Sequence, residues 1–83
     1  MTKQQILDEV LQIIARIAKI DVTGVTMDTS LVGSLNLTSL EILVILTEVE
    51  DTFGISVPET EYKTIVTAGD YAGLILRYKN DRH

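Results

Sequence analysis

Apolar residues at Ile6, Val10, Ile13 and Ile17, with Leu7, Leu11, Ile14 and Ala18 beside them, recur at helical spacing over about four turns. This pattern predicts an amphipathic first helix. Thr2 and Gln5 stand at capping-box spacing at its start, and Arg16 and Lys19 lie near its end, where cations complement the helix dipole. From Asp21 to about Leu37 the period dissolves. Thr, Asp, Ser, Gly and Asn are interspersed there with Val22, Val25, Met27, Leu31, Val32, Leu35 and Leu37. Connections longer than about 12–15 residues are uncommon in compact domains and are usually functional. The apolar residues predict that this one packs over the core.

Periodicity returns at Thr38. Thr38 and Glu41 form a second capping box, which makes Thr38 the N-cap and Ser39 the first helical residue. Leu43, Leu46, Val49, Glu50 and Phe53 follow at helical spacing. The β-branched Ile42, Val44 and Ile45 would also suit a strand, but a length of about fourteen residues, with a cap before and Gly54 after, decides for helix. Pro58, Glu59 and Glu61 suggest a short helix through about Thr64. Thr67 and Asp70 make a third capping box, opening a last helix with Tyr71, Leu74, Ile75 and Tyr78 on one side. Gly69 and Gly73 each weaken that helix by up to about 1 kcal/mol relative to alanine. The expected fold is all-α: a four-helix bundle with three longer helices, one short helix and a long first loop, as a single domain over residues 1–83.

Composition narrows what such a bundle can do. The 83 residues include 46% hydrophobic ones, no cysteine and a single histidine, His83. Disulfides, zinc–thiolate sites and a thiol nucleophile are therefore excluded. The formal net charge of −5 repels phosphate backbones and would steer the chain toward basic partner surfaces, so nucleic acid is not an expected ligand. The longest purely apolar run, Ile42 to Leu46, is far below the roughly 20 residues that span a bilayer, so membrane insertion is not expected. No signal peptide is evident, and the chain reads as cytoplasmic.

Catalytic constellations are missing. His83 is terminal, Asp21 and Asp28 lack the ligand spacing of a calcium loop, and no nucleophile–base pair can be assembled. Two features remain. Ser39 begins a helix after a long loop, where backbone N–H groups and the positive end of the dipole favour a phosphate; serine at such a place also caps helices for its own sake. Glu41, Val44, Glu48 and Asp51 lie three, four and three residues apart on one stripe, with Leu40 near its start. That stripe is either a docking surface or an ordinary solvated face.

The segment Leu35-Asn36-Leu37-Thr38-Ser39-Leu40-Glu41, continued by Leu43, Leu46, Val49, Glu50, Asp51 and Phe53, resembles the acyl carrier protein family. There a Gly-x-Asp-Ser-Leu motif opens the second helix, matched here by Ser39-Leu40. Phe53-Gly54-Ile55 stands at the expected distance downstream. Val57-Pro58-Glu59 is similar to the family's start of helix three, and Ile65-Val66-Thr67 to its exit. The likeness covers nearly the whole chain. It implies a non-enzymatic carrier with a covalent 4'-phosphopantetheine arm on Ser39, moved there from coenzyme A by a phosphopantetheinyl transferase. It also implies acyl- or aminoacyl-activating and transferring enzymes as partners, docking through Leu40, Glu41, Val44, Glu48 and Asp51, with the carrier itself a monomer.

Where the chain departs from the pattern, the expectations shift. Thr38 stands in the place of the usual Asp, Asn36 in that of the Gly, and Val44 where fatty-acid carriers often have an acid. These tilt the reading toward a specialised pathway, polyketide, peptide or related, beside fatty-acid synthesis. An aminoacyl carrier and an unmodified helical adaptor are the alternatives. By the resemblance, Leu43, Leu46, Val49, Val57 and Ile65 could line a cargo cleft, or could simply be core. Tyr62 and Tyr71 replace smaller family side chains and imply a restricted cavity.

Overall fold

Each helix start anticipated from residues three apart is built from the atoms that spacing offers. In the computed structural model, which describes residues 1–80, α1 (Lys3–Ala18) begins at Thr2. The Thr2 hydroxyl accepts from the Gln5 N–H at 3.1 Å, and the Gln5 side chain accepts from the Thr2 N–H at 2.8 Å. Lys19 ends the helix in the left-handed region, at φ 56°. The next helix, α2 (Ser39–Phe53), has the same reciprocal cap between Thr38 and Glu41 and stops at Gly54, also left-handed. The short α3 (Glu59–Tyr62) ends slightly before the expected Thr64. Finally α4 (Ala68–Asn80) opens with Asp70 and Thr67 in mutual hydrogen bonds of 3.0 Å. His83 lies outside the described residues.

Among the described residues the fold is four helices, α1 packing against both α2 and α4. Ile6, Val10 and Ile14 of α1, Ile45 and Val49 of α2, and Ile75 of α4 are essentially closed to solvent. Burying such a side chain contributes about 1.5–3 kcal/mol relative to leaving it exposed, and this is what holds the helices together. The short α3 has no buried residue of its own. It is tied down by Glu61, whose carboxylate accepts from the Tyr78 hydroxyl at 2.9 Å and pairs with Arg77.

The long loop is anchored at the start of α4. Leu31 N–H donates to the Val66 carbonyl, Ala68 N–H to Thr29, and Gly69 N–H to Met27 at 2.7 Å. A Cβ on Gly69 would lie 2.7 Å from that Met27 carbonyl, so the glycine is required by close approach of the loop, whatever it costs in helix propensity. Val22, Val25, Met27, Leu31 and Leu35 pack against the core and Leu37 enters it, as their apolar character implies; Val32 stays outside.

Candidate functional site

The loop delivers the chain to α2 through two residues with opposite tasks. Asn36 takes a left-handed conformation, φ 54°, in which asparagine is tolerated better than most side chains. Leu37 then turns inward and is buried. Leu37 and Ile42 both wall the same pocket, the arrangement of a hydrophobic staple that fixes how the chain enters the helix. With Leu37 plugged in and Thr38 capping, Ser39 emerges at the first helical position and is exposed.

Among the described residues no hydrogen bond engages the Ser39 hydroxyl, and none gives the N–H of Ser39 or Leu40 a protein acceptor. Thr38 takes the Glu41 N–H with its hydroxyl and the Ile42 N–H with its carbonyl. The site thus joins an accessible hydroxyl to outward N–H donors at the positive end of a helix, which suits a phosphodiester on that oxygen. The residues present fit the attachment of a phosphopantetheine arm.

The five docking positions fall differently than their spacing suggested. Leu40 is 71% exposed and Val44 42%, and Asp51 is also open. Glu41 and Glu48 lie half-buried at the margins: one Glu41 oxygen is used in the cap, and Glu48 pairs with Arg16 of α1 at 3.2 Å. The outward stripe runs instead through Leu40, Leu43, Val44, Thr47 and Asp51. Leu43, 60% exposed, belongs to it, although the family resemblance groups it with Leu46, Val49, Val57 and Ile65 as cleft or core.

Of the positions that could line a cleft or simply be core, Val49 is core and borders neither the inner pocket nor the groove beside α3. Leu46 and Ile65 do line a pocket of about 180 Å³, together with Tyr62 and Tyr71. Leu43 and Val57 border a separate open groove between α2 and α3, sharing Leu46 and Tyr62 with the inner pocket. The two tyrosines meet edge to face, ring centres 6.4 Å apart. Burial, then the nearby Glu50 charge, pushes the Tyr62 phenol above its ordinary range. Glu50, read in the sequence only as part of a period, accepts from the Val57 N–H at 2.8 Å and holds the turn into α3.

The comparisons with known proteins agree with this geometry. The family described as "Phosphopantetheine attachment site" matches residues 8–75. The chain is 32% identical over 74 residues to the acyl carrier protein of Rhodococcus erythropolis, covering 89% of this chain and 81% of that one. It is 25% identical over 81 residues to the meromycolate extension acyl carrier protein of Mycobacterium bovis, covering 98% and 70%. The solved acyl carrier protein of Enterococcus faecalis superposes with a TM-score of 0.76 at 27% identity, over 94% of this chain and 99% of that one. Acyl carrier proteins are carriers, not enzymes, and serve fatty-acid or related pathways with enzymes that load and transfer acyl groups. A matched attachment domain over most of its length, on a helical bundle of the same shape, makes this chain a member of the acyl carrier protein family.

Proposed function

We propose that Ser39 is the attachment point and that the chain carries acyl intermediates for a dedicated pathway, presenting them through the outward face of α2. The observation that carries this is the exposed, unengaged Ser39 hydroxyl at the first position of α2, inside the span matched by the attachment domain. A phosphopantetheinyl transferase is the first partner. The Ser39 oxygen attacks the phosphorus that bears the pantetheine; the bond to 3',5'-ADP breaks, and the serine proton leaves to the transferase. The attached arm supplies a terminal thiol that holds the acyl group, which a chain without cysteine cannot provide itself. Acyl- or aminoacyl-activating and transferring enzymes are the later partners, and Leu40, Glu41, Val44, Glu48 and Asp51 are proposed contacts, with Leu43 added at their centre. The same reading takes the carrier as a cytoplasmic monomer.

The test is intact mass after incubation with coenzyme A and a broad-specificity transferase, beside Ser39→Ala. A gain of one phosphopantetheinyl group in the parent and none in the variant is expected. No gain in a folded sample turns attention to Thr38. Aspartate caps a helix as well as threonine does, so Thr38→Asp changes the charge while keeping the cap. Modification restored by it would mean that the transferase reads that charge; continued silence would leave the unmodified adaptor.

A further inference from the structure

The pocket walled in part by Leu37 and Ile42 carries one polar group with nothing to bond. Tyr71 lines it and is only 2% exposed, and its hydroxyl, closed to solvent, finds no partner among the described residues. Leaving a buried hydroxyl unpaired is costly, and phenylalanine would fill the same space without that cost. Burial first, then the proximity of Tyr62 and Glu50, pushes the Tyr71 phenol well above its ordinary range, so it stays protonated and is a donor. The other walls, among them Ile14, Leu37, Ile42 and Ile45, are apolar except for Tyr62, whose phenol makes no hydrogen bond to that of Tyr71. A water would find few of the two to four polar partners it needs there. A ligand that is mostly hydrocarbon with one acceptor oxygen would match both the walls and the phenol.

Size sets the class. At about 30 Å³ for a water-sized group, 180 Å³ takes about six non-hydrogen atoms. Leu37 and Ile42 bracket Ser39 in the chain and stand in the pocket wall, so the pocket is next to the attachment point. We propose that Tyr71 is a specificity-determining residue, donating a hydrogen bond to a keto or hydroxyl oxygen on a short acyl cargo seated in this pocket. Because that hydroxyl is closed off in the empty pocket, seating the cargo requires the pocket wall to shift. The chain thereby discriminates oxygenated from fully reduced short acyl groups. This rests on the carrier reading with Ser39 as the attachment point and goes beyond it in naming the cargo's chemistry.

The experiment loads the protein from coenzyme A analogues bearing amide-linked hexanoyl or 3-oxohexanoyl groups, for both the parent and Tyr71→Phe. Intact mass reports attachment. NMR of cargo labelled with 13C at its methyl gives the ratio of sheltered to exposed chain. The Tyr71 ring signal, with 13C at the hydroxyl-bearing carbon, reports hydrogen bonding in the parent whether or not the variant folds. In the parent the oxo cargo is expected to be sheltered about two- to tenfold more than hexanoyl, as one ordinary hydrogen bond predicts, with a shift at Tyr71 that hexanoyl does not cause. Tyr71→Phe should erase that preference. Attachment with equal sheltering of the two cargoes and an unmoved Tyr71 signal overturns the proposal while leaving the carrier reading intact. No mass gain, in the parent or in Thr38→Asp, overturns the carrier reading, and the proposal with it.

Discussion

At Asn36 and Thr38 the chain departs from the Gly and Asp of the motif it resembles, yet each residue does a definable backbone task. A glycine there would provide a left-handed backbone without strain; Asn36 adopts that backbone at φ 54°, and its short polar side chain makes it one of the few substitutes that can. Thr38 takes over the capping that Asp would perform, without the charge. Asn36→Gly is therefore expected to change stability by no more than about 0.5 kcal/mol, whereas Asn36→Val should cost about 1–2 kcal/mol from a β-branched residue forced left-handed. Urea midpoints of the two variants decide it: equal midpoints would mean that the loop can reach α2 by another backbone path. Because Leu37 must follow immediately into the core, a shifted path would also displace Ser39.

Among the elements, α4 shows how a local signal and a distant contact combine. The Asp70 carboxylate accepts from the Thr67 N–H at 3.0 Å and the Val66 N–H at 3.1 Å, and these bonds hold its pKa below the ordinary value. A folded-state pKa depressed below the unfolded one gives stability that is present above about pH 3.9 and lost as pH falls through the lower, folded value. Asp70→Asn should therefore lower the urea midpoint at pH 7, with the gap to the parent closing as both are taken to about pH 3. A gap that stayed constant over that range would show the charge to be irrelevant to the cap. Caps such as this were legible in the sequence because both partners lie three residues apart, and all of the expected ones formed. The loop's attachment was not, since nothing near Gly69 announces that Met27 will come to rest on it. The phase of α2 was also beyond local reading. From Leu40 to Leu46 all but Glu41 is apolar, so spacing alone could not say that Leu43 faces out and Val49 in, or that Arg16 would pull Glu48 to one side.

On the scale of the whole molecule, the distribution of charge and apolar surface decides how partners are recognised. The chain carries a net charge of −5, yet the centre of the α2 face beside Ser39 is Leu40, Leu43 and Val44. Of the neighbouring acids, Glu41 is engaged in the cap and Glu48 is paired, leaving Asp51 toward the far end. Long-range attraction from the net charge would bring a basic partner near and would be screened beyond about 8–10 Å in ordinary salt. The contact itself should draw on apolar burial, which salt does not screen. With the transferase as the partner, Leu43→Glu or Val44→Glu should raise the KM for the carrier by about 1–2 kcal/mol, or about five- to thirtyfold, from lost burial plus a carboxylate at the contact. Raising salt from about 50 to 500 mM should change the parent's KM much less than that, since charge contributes chiefly to the rate of encounter. A KM that climbed steeply with salt and ignored both substitutions would mean that the acids at the margins hold the partner and the exposed leucines do not. The two measurements separate the terms because the substitutions act on the contact and salt acts on the field around it.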